Sequence, residues 1–190
     1  MKNTISILIT LLFFTGISEG KDVTYLHERN GIKYEVNSEI PYTGSYIDHP
    51  ESGQRRTSYV DGKPKGLFTT WFINGHGQKD CEGYLSNRNR EGLWTWWYKK
   101  NGQKKEKGTY KNGKKEGVWT TWYMDGQKEW EKNYKNGKEY GLSTRWYING
   151  NKESEGNYKN GELDGLWTRW YKNGKIEFER YYKDGKEVKP

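Results

Sequence analysis

The side chains that most often carry out chemistry are few in this chain and stand far apart. It has three histidines, His27, His49 and His76, and one cysteine, Cys81. Zinc and nucleophile motifs need histidine, cysteine or carboxylate groups at short fixed intervals, and no such spacing occurs here. We therefore predict no catalytic residue, no metal site and no cofactor. We expect the histidines to lie in exposed loops and Cys81 to be incidental.

Carboxylates recur beside lysines, at Glu106, Glu131, Glu155 and Glu179. Two carboxylates on adjacent strands can serve as acid and base in glycoside hydrolysis. In a regular sheet, however, Glu and Lys side by side form cross-strand ion pairs. The sequence also lacks a Gly-x-Ser-x-Gly elbow and a phosphate-binding loop. We predict that the protein is not an enzyme.

The composition favours an all-β protein. Of 190 residues, 31% are hydrophobic and 16% aromatic, there are 24 glycines, and alanine is absent. Helical bundles need alanine and leucine at helical spacing, and buried parallel strands need aliphatic runs. The net charge of +8 favours acidic partners in general and selects none of them.

The first twenty residues have the pattern of a secretory signal peptide. Met1 and Lys2 precede an apolar stretch at 5–14, and small residues follow up to Gly20. The stretch is too short to span a bilayer. We expect cleavage near Ser18 or Gly20 and an exported protein. With one cysteine it has no internal disulfide.

An internal repeat organises the rest of the chain. Each copy opens with a glycine, then Leu or Val, a variable residue, Thr, a second variable residue and Trp, at spacings of 26, 25, 24 and 24 residues. Tyrosines keep the same rhythm, at Tyr59, Tyr84, Tyr110, Tyr134, Tyr158 and Tyr182. A fixed period of this length indicates stacked supersecondary units.

Asn-Gly and Asp-Gly pairs give the unit its shape. From Asn101 to Asp184 they recur at alternating intervals of 11 and 13 residues. Such pairs are the strongest short-range hairpin signal. We predict an elongated, single-layer, curved antiparallel β-meander of hairpin repeats about 24 residues long. Residues 44–188 hold about six repeats, the first degenerate, and 21–43 form an N-terminal capping hairpin. Longer loops are expected at 74–77 and 87–89.

Strand alternation sorts the side chains onto two faces. The threonine face carries Leu or Val, Thr and Trp from each unit, as in Leu93, Thr95 and Trp97. We expect it to be the packed face, with a tryptophan ladder at positions 71, 97, 122, 146 and 170. The reverse assignment of the two faces is the alternative. The aromatic face carries the alternate residues and varies more between units. We expect it to be the binding surface, and the candidate residues are Trp94, Trp96, Trp119, Arg145, Trp167 and Arg169.

The phrase from Tyr110 to Lys128 resembles the bacterial variant of the MORN repeat. The resemblance covers Gly44 to about Val188. The lead-in from Glu28 to Gly44 resembles the start of YwqK-type antitoxin proteins. The resemblance implies a curved antiparallel sheet that binds other molecules, and for an antitoxin it implies neutralisation of a partner by contact. An export signal requires that such a partner be met outside the cytoplasm.

Two functions remain open. In the first, the protein binds a protein partner through the aromatic face, where Trp, Tyr and Arg are typical hot-spot residues. The alternative is an anionic or glycan polymer, or a membrane surface, bound by aromatic rows and by turn lysines such as Lys111, Lys135 and Lys159. Polyanion binding weakens steeply with salt, which separates the two. Export argues against nucleic acid, and the sequence does not fix the oligomeric state.

Overall fold

The computed structural model describes residues 25–51, 53–73 and 76–189. The predicted signal peptide, 1–20, lies outside the described residues. The strands are β1 (Leu26–Arg29), β2 (Ile32–Glu35), β3 (Gly44–Asp48), β4 (Gly53–Val60), β5 (Lys63–Phe72), β6 (Lys79–Ser86), β7 (Asn89–Trp97), β8 (Lys104–Lys111), β9 (Lys114–Trp122), β10 (Lys128–Lys135), β11 (Lys138–Trp146), β12 (Lys152–Lys159), β13 (Glu162–Trp170), β14 (Ile176–Lys183) and β15 (Lys186–Val188).

The predicted all-β meander is confirmed. Strands β3 to β15 form one 13-stranded antiparallel sheet in which every strand pairs with its neighbours in sequence, and β1 and β2 form a separate hairpin. The sheet is open, since β3 and β15 are its two edges. No helix occurs in the described ranges, so none there could cross a membrane.

Along one long edge of the sheet, tight turns connect the two strands of each hairpin. Asn112 and Gly113 have φ values of 51° and 75°, the left-handed pair of a type I′ turn. That turn matches the right-handed twist of the flanking strands. Successive turns are joined, because the Gly137 N–H donates to the Lys115 carbonyl at 2.9 Å. The Asn-Gly pairs therefore set both the hairpins and their stacking.

The expectation of a longer loop at 87–89 is wrong. Asn87 and Arg88 form the same two-residue turn, with Arg88 at φ 69° in the place of glycine. The predicted match of Tyr84 to the other repeat tyrosines is one residue too early. Leu85 occupies the position equivalent to Tyr110, while Tyr84 points away and is exposed. The extra residue lies instead between β7 and β8, in a six-residue connection.

The other expected loop, at 74–77, falls in the connection 73–78 between β5 and β6. Asn74 and Gly75 lie outside the described residues. The connections on this long edge also stack. The Tyr98 hydroxyl donates to the Trp122 carbonyl at 2.7 Å, and Tyr123 and Tyr147 make the same bond one unit further along.

The N-terminal hairpin lies against the tight turns of the large sheet. The Lys33 N–H donates to the Gly62 carbonyl at 2.9 Å, and the Arg88 guanidinium donates to the Gly31 carbonyl at 2.7 Å. Leu26 joins Tyr42 and Tyr59 in a small buried cluster. The hairpin therefore covers part of the first unit. Its first strand begins at Leu26, and residues 21–24 of the predicted hairpin lie outside the described residues.

The larger core lies on the face that we predicted to be free. Trp94 is 1% and Trp119 3% exposed on the aromatic face, whereas Leu93 and Val118 on the threonine face are 50% and 52% exposed. The prediction that the Leu/Val side is packed is therefore wrong at these positions. An indole is broad enough to cover the neighbouring strand, while Leu or Val stands beside polar Thr and Asn neighbours and covers little.

Candidate functional site

Each buried tryptophan lies flat on a glycine of the preceding strand. Trp94 covers Gly83 and Trp119 covers Gly108, so closely that a Cβ added to either glycine would overlap the indole. Glycine inside a strand marks such close approaches. The Trp94 indole N–H donates to the Tyr84 carbonyl at 3.1 Å, and Trp119 makes the matching bond to Thr109.

These indoles belong to a continuous row of rings, which we call the aromatic column: Phe68, Trp94, Trp96, Tyr110 and Trp119. Ring centroids lie 5.7 Å apart from Phe68 to Trp94, 5.7 Å from Trp94 to Trp96 and 5.8 Å from Trp96 to Trp119. Tyr110 meets Trp119 edge-on at 4.9 Å. Offset and edge-to-face pairs of this kind stabilise a fold beyond their buried area.

The tryptophan ladder predicted on the threonine face does not form. None of the ring pairs found among the described residues joins two of its five tryptophans. Lysines cover three of the rings instead: Lys128 lies 5.6 Å from the centre of Trp146, and Lys79 and Lys152 cover Trp97 and Trp170. The stacked rings are on the aromatic face.

The aromatic column stops at strands β10 and β11. Lys132 stands opposite Ser143, at the positions where the neighbouring units pair Gly108 with Trp119 and Gly156 with Trp167. Ser143 is buried and its hydroxyl has no hydrogen-bond partner. Both members of the pair differ from those of the neighbouring units, so that neither the indole nor the glycine beneath it is present.

Beyond this point the aromatic face becomes more open, and we call strands β11 to β14 its open half. Arg145 is held by Glu153 at 3.2 Å, and the exposed Arg169 is held by Glu177 at 3.1 Å. Trp167 is half-buried and meets Tyr158 edge-on at 6.3 Å. Large side chains are thus fixed in place here and still reach solvent.

The structure divides the six candidate residues into two groups. Trp94, Trp96 and Trp119 are packed in the aromatic column. Arg145, Trp167 and Arg169 lie together in the open half. A glycine lies 11 residues before Trp94, Trp119 and Trp167, and each of these indoles covers that glycine. Sequence reasoning missed this signal of a covered tryptophan, which marks one member of the open half as well as two of the column.

The recurring carboxylates do not form one equivalent set. Glu131 and Glu155 lie on the threonine face and pair with lysines of their own strands, Lys128 at 2.7 Å and Lys152 at 2.6 Å. Glu106 lies on the aromatic face and pairs across to Lys115 at 2.8 Å. The expectation of cross-strand ion pairs at Glu131 and Glu155 is therefore wrong. In each case a lysine three residues earlier in the same strand lies on the same face and is nearer.

The histidines and the cysteine lie apart from one another. His49 and His76 are exposed, but His27 is half-buried in strand β1 rather than in a loop. Cys81 is buried with its Sγ 3.1 Å from the Thr70 hydroxyl, and burial raises the pKa of the thiol. In the part of the chain that the structure describes, no His, Cys, Asp or Glu group is arranged to hold a metal ion.

Burial and negative charge also act on the tyrosines of the aromatic face. Burial first, and then the Glu139 carboxylate, raise the pKa of Tyr134 to about 12. The same two causes raise the pKa of Tyr158. These phenols therefore remain neutral hydrogen-bond donors well above neutral pH.

Comparison with known proteins supports the repeat and does not identify a function. No curated protein matches the chain. A solved structure described as "Crystal Structure of TarM" matches 62% of this chain and 21% of its own, at 12% identity and a TM-score of 0.28. The chain spans about a fifth of that structure, and so low a similarity bears on neither fold nor function.

Three segments match the family described as MORN repeat variant: residues 90–112, 139–160 and 163–184. Each begins within one strand and ends at or near the tight turn that follows the next strand, so it covers one repeat of the large sheet. MORN repeats are commonly repeats that bind proteins or membranes. These three matches support a MORN-repeat protein.

Proposed function

We propose that this protein is an exported, non-catalytic scaffold that binds a protein partner through the open half of its aromatic face. The observation that carries the proposal is the arrangement of Arg145, Trp167 and Arg169. These large side chains reach solvent on one face, and carboxylates hold both guanidinium groups. The partner-binding role common among MORN repeats supports it.

The chemistry of this surface suits a protein partner better than a simple anion. Trp, Tyr and Arg dominate binding hot spots, because they bury a large area and also donate hydrogen bonds. Glu153 and Glu177 restrict the two arginines before binding, which reduces the conformational entropy lost on association. They also cancel the charge that a polyanion would need.

The resemblance to YwqK-type proteins extends the proposal to an immunity-like role, in which the scaffold neutralises its partner by contact. Because residues 1–20 have a signal-peptide pattern, that partner is expected outside the cytoplasm. Export and neutralisation are claims independent of the docking surface. An experiment can contradict either of them and leave the docking surface standing.

The test is a pull-down in which the C-terminally tagged chain is the bait. Partners are captured from the extracytoplasmic fraction of the producing cell, at low and at high salt. The binding variant is the triple substitution Arg145→Ala, Trp167→Ala and Arg169→Ala. A matched control removes similarly exposed side chains of the other face, with Leu93→Ala, Val118→Ala and Leu142→Ala.

We expect one protein that remains bound at high salt, is lost with the binding variant and is retained by the control. Loss with the control and retention by the binding variant would place the interaction on the threonine face and contradict the proposal. A partner confined to the cytoplasm would contradict export alone.

A second function is favoured by the lysines of the tight-turn edge. Exposed lysines lie next to successive turns, and among the described residues they make no ion pair: Lys111, Lys114, Lys135, Lys138 and Lys159. Such an edge could bind an anionic polymer or membrane surface. Vesicles with and without anionic lipid test it, because binding should fall steeply between 50 and 200 mM salt by analogy with other polyanions.

A further inference from the structure

The aromatic column ends at a pocket. In the preceding unit the indoles of Trp96 and Trp119 meet over strand β8 at 5.8 Å. The equivalent positions one unit later hold the small residues Thr121 and Ser143. Next to them lies an open pocket of about 290 Å³, which borders Thr121. The pocket therefore borders the position at which the preceding unit holds the indole of Trp96 and this unit holds Thr121.

Three aromatic rings line this pocket: those of Trp119, Trp130 and Tyr134. Trp130 is itself a departure from the pattern, since the other units hold Cys81, Glu106, Ser154 or Phe178 at its position. The one unit that loses an indole from the strand β11 thus gains another on β10. This combination keeps apolar walls around an open space.

Charged groups line the same pocket in neutralised pairs. The Lys115 ammonium lies 3.8 Å from the centre of the Trp119 ring and 2.8 Å from Glu106. The Lys132 ammonium lies 4.4 Å from the Trp130 ring and 2.7 Å from Glu139. Each pair presents N–H donors next to carboxylate acceptors, and the charges cancel. The pocket therefore does not select for a net charge on its ligand.

We propose that this pocket binds one pyranose ring of a neutral glycan. A pyranose has an apolar face of C–H groups that packs on an aromatic ring, and adjacent hydroxyls that both donate and accept hydrogen bonds. The half-buried rings of Trp130 and Tyr134 supply the aromatic surface, and the Lys–Glu pairs supply donors and acceptors. The volume is at the lower limit for small-ligand sites, which suits one ring rather than a chain. The inference does not rest on the proposed protein docking surface.

The test is ligand-observed saturation-transfer NMR on the full chain, with D-glucose, D-galactose and N-acetyl-D-glucosamine as separate probes. We expect at least one sugar to bind with a dissociation constant of order 1 mM. Thr121→Trp returns an indole to the pocket and should weaken that binding at least tenfold. The control Leu93→Ala removes an exposed side chain of the opposite face and should keep the affinity within twofold.

A second variant covers the case in which Thr121→Trp does not fold. Glu106→Gln keeps the shape of the side chain and removes one charged acceptor, and we expect it to weaken the same sugar about fivefold. The proposal is overturned if none of the three sugars binds. It is also overturned if the affinity is unchanged in Thr121→Trp or, where that variant does not fold, in Glu106→Gln. Binding of benzoate or inorganic phosphate with no binding of neutral sugars would also overturn it, since that result assigns the pocket to anions.

Discussion

The aromatic column and the open half are built from the same repeat on the same face of one sheet, yet they have different packing. In strands β6 to β9 the buried indoles of Trp94 and Trp119 rest on glycines and meet other rings. In strands β11 to β14 arginines held by glutamates replace some of these rings. Stability is therefore concentrated in the first region, while side chains available for contact are concentrated in the second.

The change between the two regions happens within a single unit. Lys132 replaces the glycine, Ser143 replaces the tryptophan, and Thr121 stands where the preceding unit has Trp96. These paired differences show that a repeat protein can end a core and begin a more open face without changing its fold. The backbone register on both sides of the unit stays the same.

The largest effect should come from removing the centre of the column. Trp94→Ala deletes an indole that is 1% exposed and contacts Phe68 and Trp96. We expect a loss of about 3–5 kcal/mol in the free energy of unfolding, typical of a buried aromatic truncated to alanine. Urea unfolding followed by tryptophan fluorescence and far-UV circular dichroism measures it.

The matched substitution in the other region is Trp167→Ala. Trp167 is only half-buried and has one ring partner, so we expect a smaller loss of about 1–2 kcal/mol. Equal losses from the two variants would contradict the difference in packing between the regions.

The glycines beneath the indoles should be the next most sensitive positions. Gly108→Ala adds a methyl group directly beneath Trp119, which neighbouring rings prevent from moving. We expect a destabilisation of about 1–3 kcal/mol, as for overpacked cores. Gly156→Ala beneath Trp167 should cost less, because that indole can tilt toward solvent. Urea midpoints of the two variants, compared at equal m-values, decide the point.

A double-mutant cycle tests whether Lys132 and Ser143 are a coupled replacement. Ser143→Trp alone should destabilise, since the indole meets the Lys132 side chain, and Lys132→Gly alone loses the ion pair with Glu139. Together they rebuild the glycine–indole pair of the neighbouring units. We expect a favourable coupling energy of about 1–3 kcal/mol from the four unfolding free energies. Additive effects would mean that the column cannot be extended.

The smallest effect concerns alkaline pH. The pKa of Tyr134 is about 12 in the folded chain and about 10 when unfolded. The folded state therefore keeps its proton where the unfolded state has lost it. The resulting stability is complete below pH 10 and is lost as pH rises from 10 to 12. Tyr134→Phe should reduce this decline in the unfolding midpoint, and an unchanged alkaline profile would contradict the assignment.

The sequence predicted the strands and turns well, because they depend on local chemistry. Asn112-Gly113 and its equivalents tolerate left-handed backbone angles, and alternation between them defines the strands. Errors arose where a conspicuous residue type was used as the marker. Tyr84 was aligned with the other tyrosines, although the mid-strand glycine Gly83 places Leu85 at that position. A glycine-based alignment would have avoided the false loop.

The candidate site was only half predictable. Composition and alternation identified the aromatic face and its six residues, but alternation by itself is symmetric and says nothing about which face is covered. Arg145 and Arg169 were recognisable as arginines on that face. Their carboxylate partners, Glu153 and Glu177, come from adjacent strands, and the exact pairing register was needed to find them.

By itself, the sequence determined a meander of hairpin repeats, two sets of side chains and the positions of the turns. Those features follow from backbone preferences that act over a few residues. The burial of the indoles, rather than of the aliphatic residues, follows from the assembled sheet and not from local sequence. An indole is covered by rings and a glycine that lie on neighbouring strands, so its burial depends on the assembled sheet. For the same reason, only the structure located the end of the column and the pocket beside it.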